Sequence, residues 1–432
     1  MSIELAEKLM QLGSYNILCV GDLCEDVDVH GHMDRYAAES PGCPVFHWDS
    51  TEVRYGGVGA VWRMVQALGS TTRNVCGHSS IKTRFFVDGR QVWRYDRDSE
   101  TSAFMAADAM EMVKHHIRYA DAVLIADYGK GLCTNEVLRA AIDGAAQRGI
   151  PCLVDPHRNP DWSRYKGATA IKCNQNEWEA AIDSPPSYEF ANLVVTHGAT
   201  GIMWHDERET EDFPSRQRNA IDPTGAGDMV LASLGVCIAG GMSWPKACQV
   251  ANAAAGLKVE RHGAVPVSRG EVIADLCHGE KVLPLDLLAS ILDTRKVQGK
   301  KIILANGCFD GPGLHPGHCH MLAWAKEQGD ILVAATNSDA SVRELKGPGR
   351  PILPLASRVA MLAAQGAVDY VISFPELNPT NLIQRLKPDV LVKGPDNKPE
   401  DVPGRHLVEV RIAPLVYNGH TSDLIEQIRK GN

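Results

Sequence analysis

The chain has 432 residues, a formal net charge of −9, and 44% hydrophobic against 22% charged residues; this predicts two or three soluble domains and, with no basic block, excludes nucleic acid as an expected partner. No apolar run is long enough to cross a bilayer, and residues 1–14 lack the basic and apolar blocks of a signal peptide, so no membrane association is expected. Twelve cysteines are scattered without a CxxC, several inside apolar runs (Cys19, Cys152, Cys237), which predicts reduced buried thiols, a cytoplasmic setting and no metal site built on cysteine or histidine.

Asn16 to Val20 reads as a buried strand stopped by Gly21-Asp22, the pattern of a parallel sheet whose working loops lie at the strand C-termini. Val45 to His47 reads as a further strand after a turn at Pro41 to Pro44. Gly56-Gly57-Val58-Gly59 then leads into a helix over Ala60 to Leu68. Between Lys82 and Asp96 two alternating runs flank Asp88-Gly89, a hairpin signal; its Lys82, Arg84, Arg90 and Arg94 could meet a phosphorylated substrate or form a solvated face. From Asp121 an α/β rhythm follows. Strands at Ala122–Ala126, Cys152–Val154, Ala168–Lys172 and Asn192–Val195 precede Asp127-Tyr-Gly-Lys-Gly131, Asp155-Pro156, Asn174-Gln-Asn-Glu177 and Thr196-His-Gly-Ala-Thr-Gly201. Helices are expected at Asn135–Gln147 and Trp244–Glu260. After a helical linker region the rhythm restarts, with strands at Lys301–Ala305, Ile331–Ala335, Tyr370–Ser373 and Val390–Val392 and helices at Cys319–Gln328, Ser357–Ala364 and Thr380–Leu386.

Two loops carry chemistry. Asp222-Pro-Thr-Gly-Ala-Gly-Asp228 opens an apolar helical run, so the amides of Gly225, Ala226 and Gly227 and the helix N-terminus can face one anion. Asp228 at the mouth of an anion site suits a base that takes a proton from an attacking hydroxyl; in isolation the same pattern would also serve as a Gly-rich turn with a capping Asp. Leu314-His-Pro-Gly-His318 follows a strand and opens a helix, with Pro316 fitting the first turn and His315 and His318 three apart. Two imidazoles at a helix N-terminus suit a triphosphate under attack at its α-phosphorus, a step that needs no base because a phosphate nucleophile is already ionised. Lys346, Arg350, Arg358, Lys393 and the stretch His420-Thr421-Ser422 sit where loops meet strand or helix ends and could neutralise departing pyrophosphate.

The motifs in this order resemble the bifunctional heptose enzymes of lipopolysaccharide-precursor synthesis. The resemblance rests on Val20-Gly-Asp22, Glu39-Ser-Pro-Gly-Cys-Pro-Val45, Gly56-Gly57, Lys82-Thr-Arg84, Asp127 to Gly131, Asn174 to Glu177 and Asp222 to Asp228. In the second half it rests on Asn306-Gly-Cys-Phe-Asp310, the HxGH, Thr336-Asn-Ser-Asp-Ala-Ser341, Lys346 to Pro351 and Val392-Lys-Gly394. It implies an α/β architecture: a ribokinase-like doubly wound sheet domain over 1–285, a linker over 286–299, and a smaller Rossmann-like, cytidylyltransferase-like domain over 300–432. It implies ATP-dependent phosphorylation of D-glycero-D-manno-heptose 7-phosphate at C1. Adenylyl transfer from a second ATP to the heptose 1-phosphate then releases pyrophosphate, with Mg2+ as cofactor. Asp228 would be the kinase base. Asn174, Gln175, Asn176, Glu177, Thr196, Gly198 and Gly201 would frame ATP, and Asp22, Gly56, Gly57, Lys82, Arg84, Asp127 and Lys130 would meet the sugar phosphate. In the transferase, His315, His318 and Lys346 would act on the triphosphate. Phe309, Asp310, Asn337, Arg350, Arg358, Lys393, Thr421 and Ser422 would complete the nucleotide site. A homodimer is expected by analogy with ribokinase-like domains.

The chain departs from the family pattern in four places. Between Gly77 and Lys82 it is shorter by roughly a strand–helix segment. Gly56-Gly57-Val58-Gly59-Ala60 lacks the family's sugar-binding Asn, and Asp310-Gly-Pro-Gly-Leu-His315 carries two extra residues. The mildest change is His420-Thr421-Ser422 where the family has Ser-Thr-Thr. The first two changes fall on the sugar side of the kinase site, which leaves open an alternative: a nucleotidyltransferase whose kinase domain is inactive or re-targeted to another sugar phosphate.

Overall fold

The computed structural model describes residues 2–77, 79–98, 103–158, 162–182 and 190–415. Two compact units are present, one over Lys8–Leu276 and one from Cys277 onward together with the residues up to Glu7.

In the first unit an eight-stranded sheet runs in the order Thr210–Pro214, Gly201–His205, Asn192–Thr196, Ala170–Asn174, Cys152–Asp155, Ala122–Ala126, Asn16–Gly21, Thr71–Cys76. The last six strands pair in parallel, whereas the 192–196, 201–205 and 210–214 strands pair antiparallel. Central strands such as Ala122–Ala126 are buried at every residue, which is why they read as short continuous apolar runs. The helix Ala226–Ala239 is buried from Asp228 to Cys237, and a side chain at Gly235 would press within 2.6 Å of Leu124. This close helix–sheet packing fixes the helix N-terminus over the strand ends.

A second, four-stranded sheet has the order Pro44–Gly57, Leu23–Tyr36, Ser80–Val87, Arg90–Arg97. Its hairpin turns at Asp88 and Gly89, both left-handed with φ of 48° and 74°, as the Asp-Gly signal predicts. Beyond that hairpin the sequence reading placed only Val45–His47 in this sheet, yet two further strands of 14 residues each are found, Leu23–Tyr36 and Pro44–Gly57. Their polar, His- and Asp-rich composition hides the two-residue alternation. Only three residues separate the strand Thr71–Cys76 from Ser80, so Thr71–Cys76 ends the large sheet.

The second unit is a five-stranded parallel sheet in the order Tyr370–Phe374, Ile331–Asn337, Ile302–Gly307, Val390–Lys393, Glu409–Ile412. Strand order reverses between Ile302–Gly307 and Val390–Lys393, the place where open α/β sheets leave a crevice. The segment read as a linker is largely the helix Leu285–Val297. It buries Leu287, Leu288, Ile291 and Leu292 and belongs to this unit. Thr421 and Ser422 lie outside the described residues.

Candidate active sites

In the first unit the loops after several parallel strands converge on a cavity of ≈ 590 Å³ whose lining includes Lys82, Lys130, Lys172, Glu177, Gly227 and Asp228. Gly225 precedes the helix with φ 81°, and a Cβ there would lie 3.0 Å from Ala264. The turn therefore requires glycine both for its backbone angle and for its packing. Asp228, in the first helical turn, is 6% exposed. Its Oδ1 accepts the Tyr128 hydroxyl at 2.7 Å. Burial, aided by the charge of Asp155, raises its carboxyl to about 6, while the Tyr128 hydrogen bond and the charges of Lys172 and Lys258 act in the opposite direction. A base with that affinity is ionised at neutral pH and still accepts a proton readily.

Lys172, which the sequence reading passed over inside a strand, belongs to this site. Its ammonium is held by Asp155 at 2.7 Å, and a Cβ on Gly227 would stand only 2.6 Å from it. A positive charge thus lies against the glycine loop, where a transferred phosphoryl group would carry negative charge.

Among the residues expected to meet the sugar phosphate, Asp22 has a different place in the structure. Asp22 is 2% exposed, and its carboxylate accepts the backbone N–H groups of Tyr128 (3.1 Å), Lys130 (3.0 Å) and Leu132 (3.0 Å). It shapes the 127–132 loop and has no free face for a sugar. Gly57, with φ 60°, would collide with the Asp22 carbonyl if it carried a side chain, so its role is to let the two segments meet. Asp127 lines the cavity and accepts Gly129 N–H at 3.0 Å and the Tyr165 hydroxyl at 2.7 Å. Asp22, Asp127 and Cys133 place ligand atoms within 4.8 Å of one another, and the N–H and O–H groups just named donate into both carboxylates.

Arg84 is bound to Asp26 at 2.9 Å and lies 3.6 Å from Asp28, while Arg54 pairs with Asp28. Asp26, also missed from sequence, approaches Gly56: its Oδ2 is 3.6 Å from where a Cβ there would stand. The even spacing of Asp26 and Asp28 in one strand was the available signal. Lys82 lines the cavity, and Lys130, also at its wall, is bound to Asp98 at 2.6 Å.

Among the residues expected to frame ATP, Asn174 and Glu177 cap each other: the Asn174 side chain accepts Glu177 N–H and the Glu177 carboxylate accepts Asn174 N–H, both at 2.9 Å. Both line the cavity. Gln175, Asn176, Thr196, Gly198 and Gly201 stand around the adjoining ends of strands Ala170–Asn174 and Asn192–Thr196, outside the lining. Thr196 donates to Cys173 O at 3.2 Å, and Gly201, with φ 126°, is pressed on the Phe213 carbonyl.

In the second unit a cavity of ≈ 340 Å³ sits at the strand-order reversal, its lining including Asp310, His315, His318, Lys346, Arg350 and Lys393. His315 caps the helix Pro316–Lys326, its ring accepting His318 N–H at 3.4 Å, and Pro316 occupies the first turn. The His315 and His318 rings stack at 3.7 Å, and Phe309, buried with φ 47°, meets His318 edge-on at 5.1 Å. Burial and the neighbouring His315 push His318 down to about 4, against the pull of Asp310, so it is neutral at neutral pH. His318 Nδ1 and His320 Nε2 are buried ring nitrogens without a protein hydrogen bond among the described residues. His320 lines the cavity but was missed, because two-residue spacing does not put it on the helical face of His318.

Arg350 pairs with Asp310 at 2.6 Å, and Lys393 donates to Asn306 Oδ1 at 3.2 Å. Arg358 departs from the expected phosphate role. It is fully buried and donates to Cys308 O, Thr336 Oγ1, Asn337 O and Asp339 at 2.6–2.8 Å, which ties the ends of strands Ile302–Gly307 and Ile331–Asn337 together. Asn337 is likewise buried and donates to Glu376 O at 3.0 Å, supporting the site from behind.

Fold and sites define a carbohydrate kinase joined to a nucleotidyltransferase. Residues 96–269 match the pfkB family carbohydrate kinases, and residues 304–412 match the cytidylyltransferase-like family. The chain is 34% identical to the bifunctional protein HldE of Trichlorobacter lovleyi over 99% of this chain and 98% of that one. It is 36% identical to HldE of Geobacter metallireducens, with 96% and 95% covered, and 35% identical to HldE of Pseudomonas syringae pv. tomato, with 96% and 97% covered. The chain belongs to the family of bifunctional HldE proteins. The first of these alignments extends over 487 positions, more than the 432 residues present, so that relative carries segments this chain lacks. Among solved structures, the phosphofructokinase-2 of Escherichia coli in complex with potassium is 15% identical with a TM-score of 0.48, covering 61% of this chain and 98% of that one.

Proposed function

We propose that this chain phosphorylates a heptose 7-phosphate at its anomeric hydroxyl with ATP and then joins the heptose 1-phosphate to AMP from a second ATP, releasing pyrophosphate. One contrast carries the reading. The first site holds a buried carboxylate tuned to about 6, and the second holds a neutral imidazole pushed down to about 4. A sugar hydroxyl must lose a proton to attack phosphorus, whereas a sugar phosphate needs none removed. Each site is therefore suited to one half of the sequence.

In the kinase, Asp228 takes the proton of the anomeric hydroxyl as its oxygen attacks the γ-phosphorus. The amides of Gly225 to Gly227 and the Lys172 ammonium oppose the charge on the transferred group. Lys82 and Asp26 serve the sugar phosphate. Magnesium fits the nucleotide side: Asn174 and Glu177 offer oxygens at the cavity wall, and Mg2+ commonly binds one or two carboxylates together with substrate phosphates. Bound there, it would neutralise phosphate charge. In the transferase, His315, His318, Lys346 and Lys393 hold the triphosphate while the sugar phosphate oxygen attacks the α-phosphorus. Adenine as the base follows the family resemblance.

Among the described residues no helix is long and apolar enough to cross a membrane, and all twelve cysteines are free. With ATP as substrate, these support a cytoplasmic enzyme. Pairing of two chains is expected from the ribokinase-like analogy and is read by light scattering.

Mass spectrometry of products from ATP, Mg2+ and heptose 7-phosphate, beside heptose 1-phosphate, tests the reading. A bisphosphate followed by a nucleotide-sugar from the 7-phosphate is expected. A nucleotide-sugar from the 1-phosphate alone would mean that the shortened kinase unit is inactive or acts on another sugar phosphate.

A further inference from the structure

Lys258 is the last residue of the helix Trp244–Lys258, and none of it reaches solvent. A buried ammonium is costly, and an apolar side chain would fill the same space without that cost. Its recorded partners are main-chain carbonyls: Asp222 O at 2.8 Å and Arg261 O at 3.5 Å. Asp222 is the first residue of the glycine loop that leads to Asp228.

Two loops meet at this ammonium. Ile221 and Asp222 donate their N–H groups to Val259 O at 2.7 and 3.0 Å. The Asp222 carboxylate in turn accepts Thr224 N–H at 2.9 Å and Gly263 N–H at 2.7 Å. Gly225 packs onto Ala264. The charges facing Lys258 are those of Asp222 and Asp228, which favour the ammonium, and of Arg261, which opposes it; burial lowers its proton affinity. The influence is mutual, since Lys258 holds the Asp228 carboxyl lower than burial alone would leave it.

We infer that Lys258 is a positioning residue for phosphoryl transfer: its buried charge locks the 222–228 loop onto the 259–264 loop and adds a fixed positive field behind the anion site and the base. This rests on reading the 222–228 loop as the phosphoryl-transfer site. Asp222 and Gly225 give the loop its shape, and Lys258 gives it a charge that no backbone amide can supply.

The test uses the full chain with Lys258→Met, Lys258→Gln and Asp228→Asn. ADP release from ATP and heptose 7-phosphate is followed across pH, and adenylyl transfer to heptose 1-phosphate serves as the control for an intact chain. Both Lys258 variants are expected to lower kinase kcat about tenfold or more, a fraction of what a direct anion-hole donor contributes. KM for both substrates should stay within about twofold and adenylyl transfer should be unchanged. The acid limb of the kinase profile should move to higher pH, because a lost positive neighbour raises Asp228. A purely structural lysine would not move that limb. Lys258→Gln keeps a donor without the charge, so it decides the matter even if Lys258→Met fails to fold; wild-type kcat with an unmoved limb in that variant overturns the inference. Kinase activity retained by Asp228→Asn would instead overturn the reading of the site itself.

Discussion

Tyr128 donates its hydroxyl to Asp228 at 2.7 Å, although the two residues lie 100 positions apart. The contact joins the 127–131 loop to the helix that begins at Ala226, and it steadies the carboxylate that burial would otherwise neutralise. With Asp228 as the proposed kinase base, removing the hydroxyl should change that base without removing it. In Tyr128→Phe the Asp228 carboxyl loses a stabilising donor and its proton affinity rises. Kinase kcat should fall severalfold at pH 7, and the acid limb should shift upward from about 6, read from a pH–rate profile of ADP release.

Asp228→Asn should abolish phosphorylation and leave adenylyl transfer intact, while His318→Ala should do the reverse. Two product assays on each variant check this. Equal damage to both activities in both variants would contradict two separate sites.

Asp228 also carries a stability cost with a definite sign. Its folded carboxyl is raised from 3.8 to about 6, so the folded state binds its proton more tightly than the unfolded chain does. The ionised form thus destabilises the fold above pH 6, by about 3 kcal/mol at most, and the penalty fades as pH falls from 6 toward 4. Asp228→Asn should raise the melting temperature of the kinase unit at pH 8 and lose that advantage near pH 4. Thermal melts at the two pH values measure it, and an equal gain at both would contradict the buried-carboxylate account.

How far these sites could be read in the chain depended on the kind of signal. The strands Ala122–Ala126 and Ile331–Asn337 were legible because burial on both faces leaves an apolar run, and the 222–228 and 314–318 loops because glycine and proline mark helix entries. The long strands Leu23–Tyr36 and Pro44–Gly57 were not, since a sheet largely open to solvent imposes little on its residues. Charged residues misled in both directions. Asp22 and Arg358 have the composition of ligands, yet both are buried and consumed by backbone groups. Lys172 and Lys258 look like breaks in a strand and a helix, yet both stand against the anion loop. Sequence spacing tells which residues share an element; it does not tell which carbonyls and amides will meet a side chain from elsewhere.

Arg358 provides a prediction of the opposite kind, a residue that looks catalytic and should act through the fold. Its guanidinium satisfies the Cys308 and Asn337 carbonyls, the Thr336 hydroxyl and the Asp339 carboxylate, all at the strand ends that carry the cavity. Arg358→Met fills much of the volume but strands those acceptors, and Asp339 loses the partner that holds its carboxyl low. Each buried acceptor left without its donor costs about 1–3 kcal/mol and the 31% exposed Asp339 adds less, so the total is roughly 3–5 kcal/mol. Chemical denaturation of the second unit should show a loss of that order. Lysine should recover only part of it, because a single ammonium cannot reach four acceptors in a plane. If Arg358→Met instead kept full stability while KM for ATP in adenylyl transfer rose tenfold, the residue would be a triphosphate ligand, as its sequence position suggested.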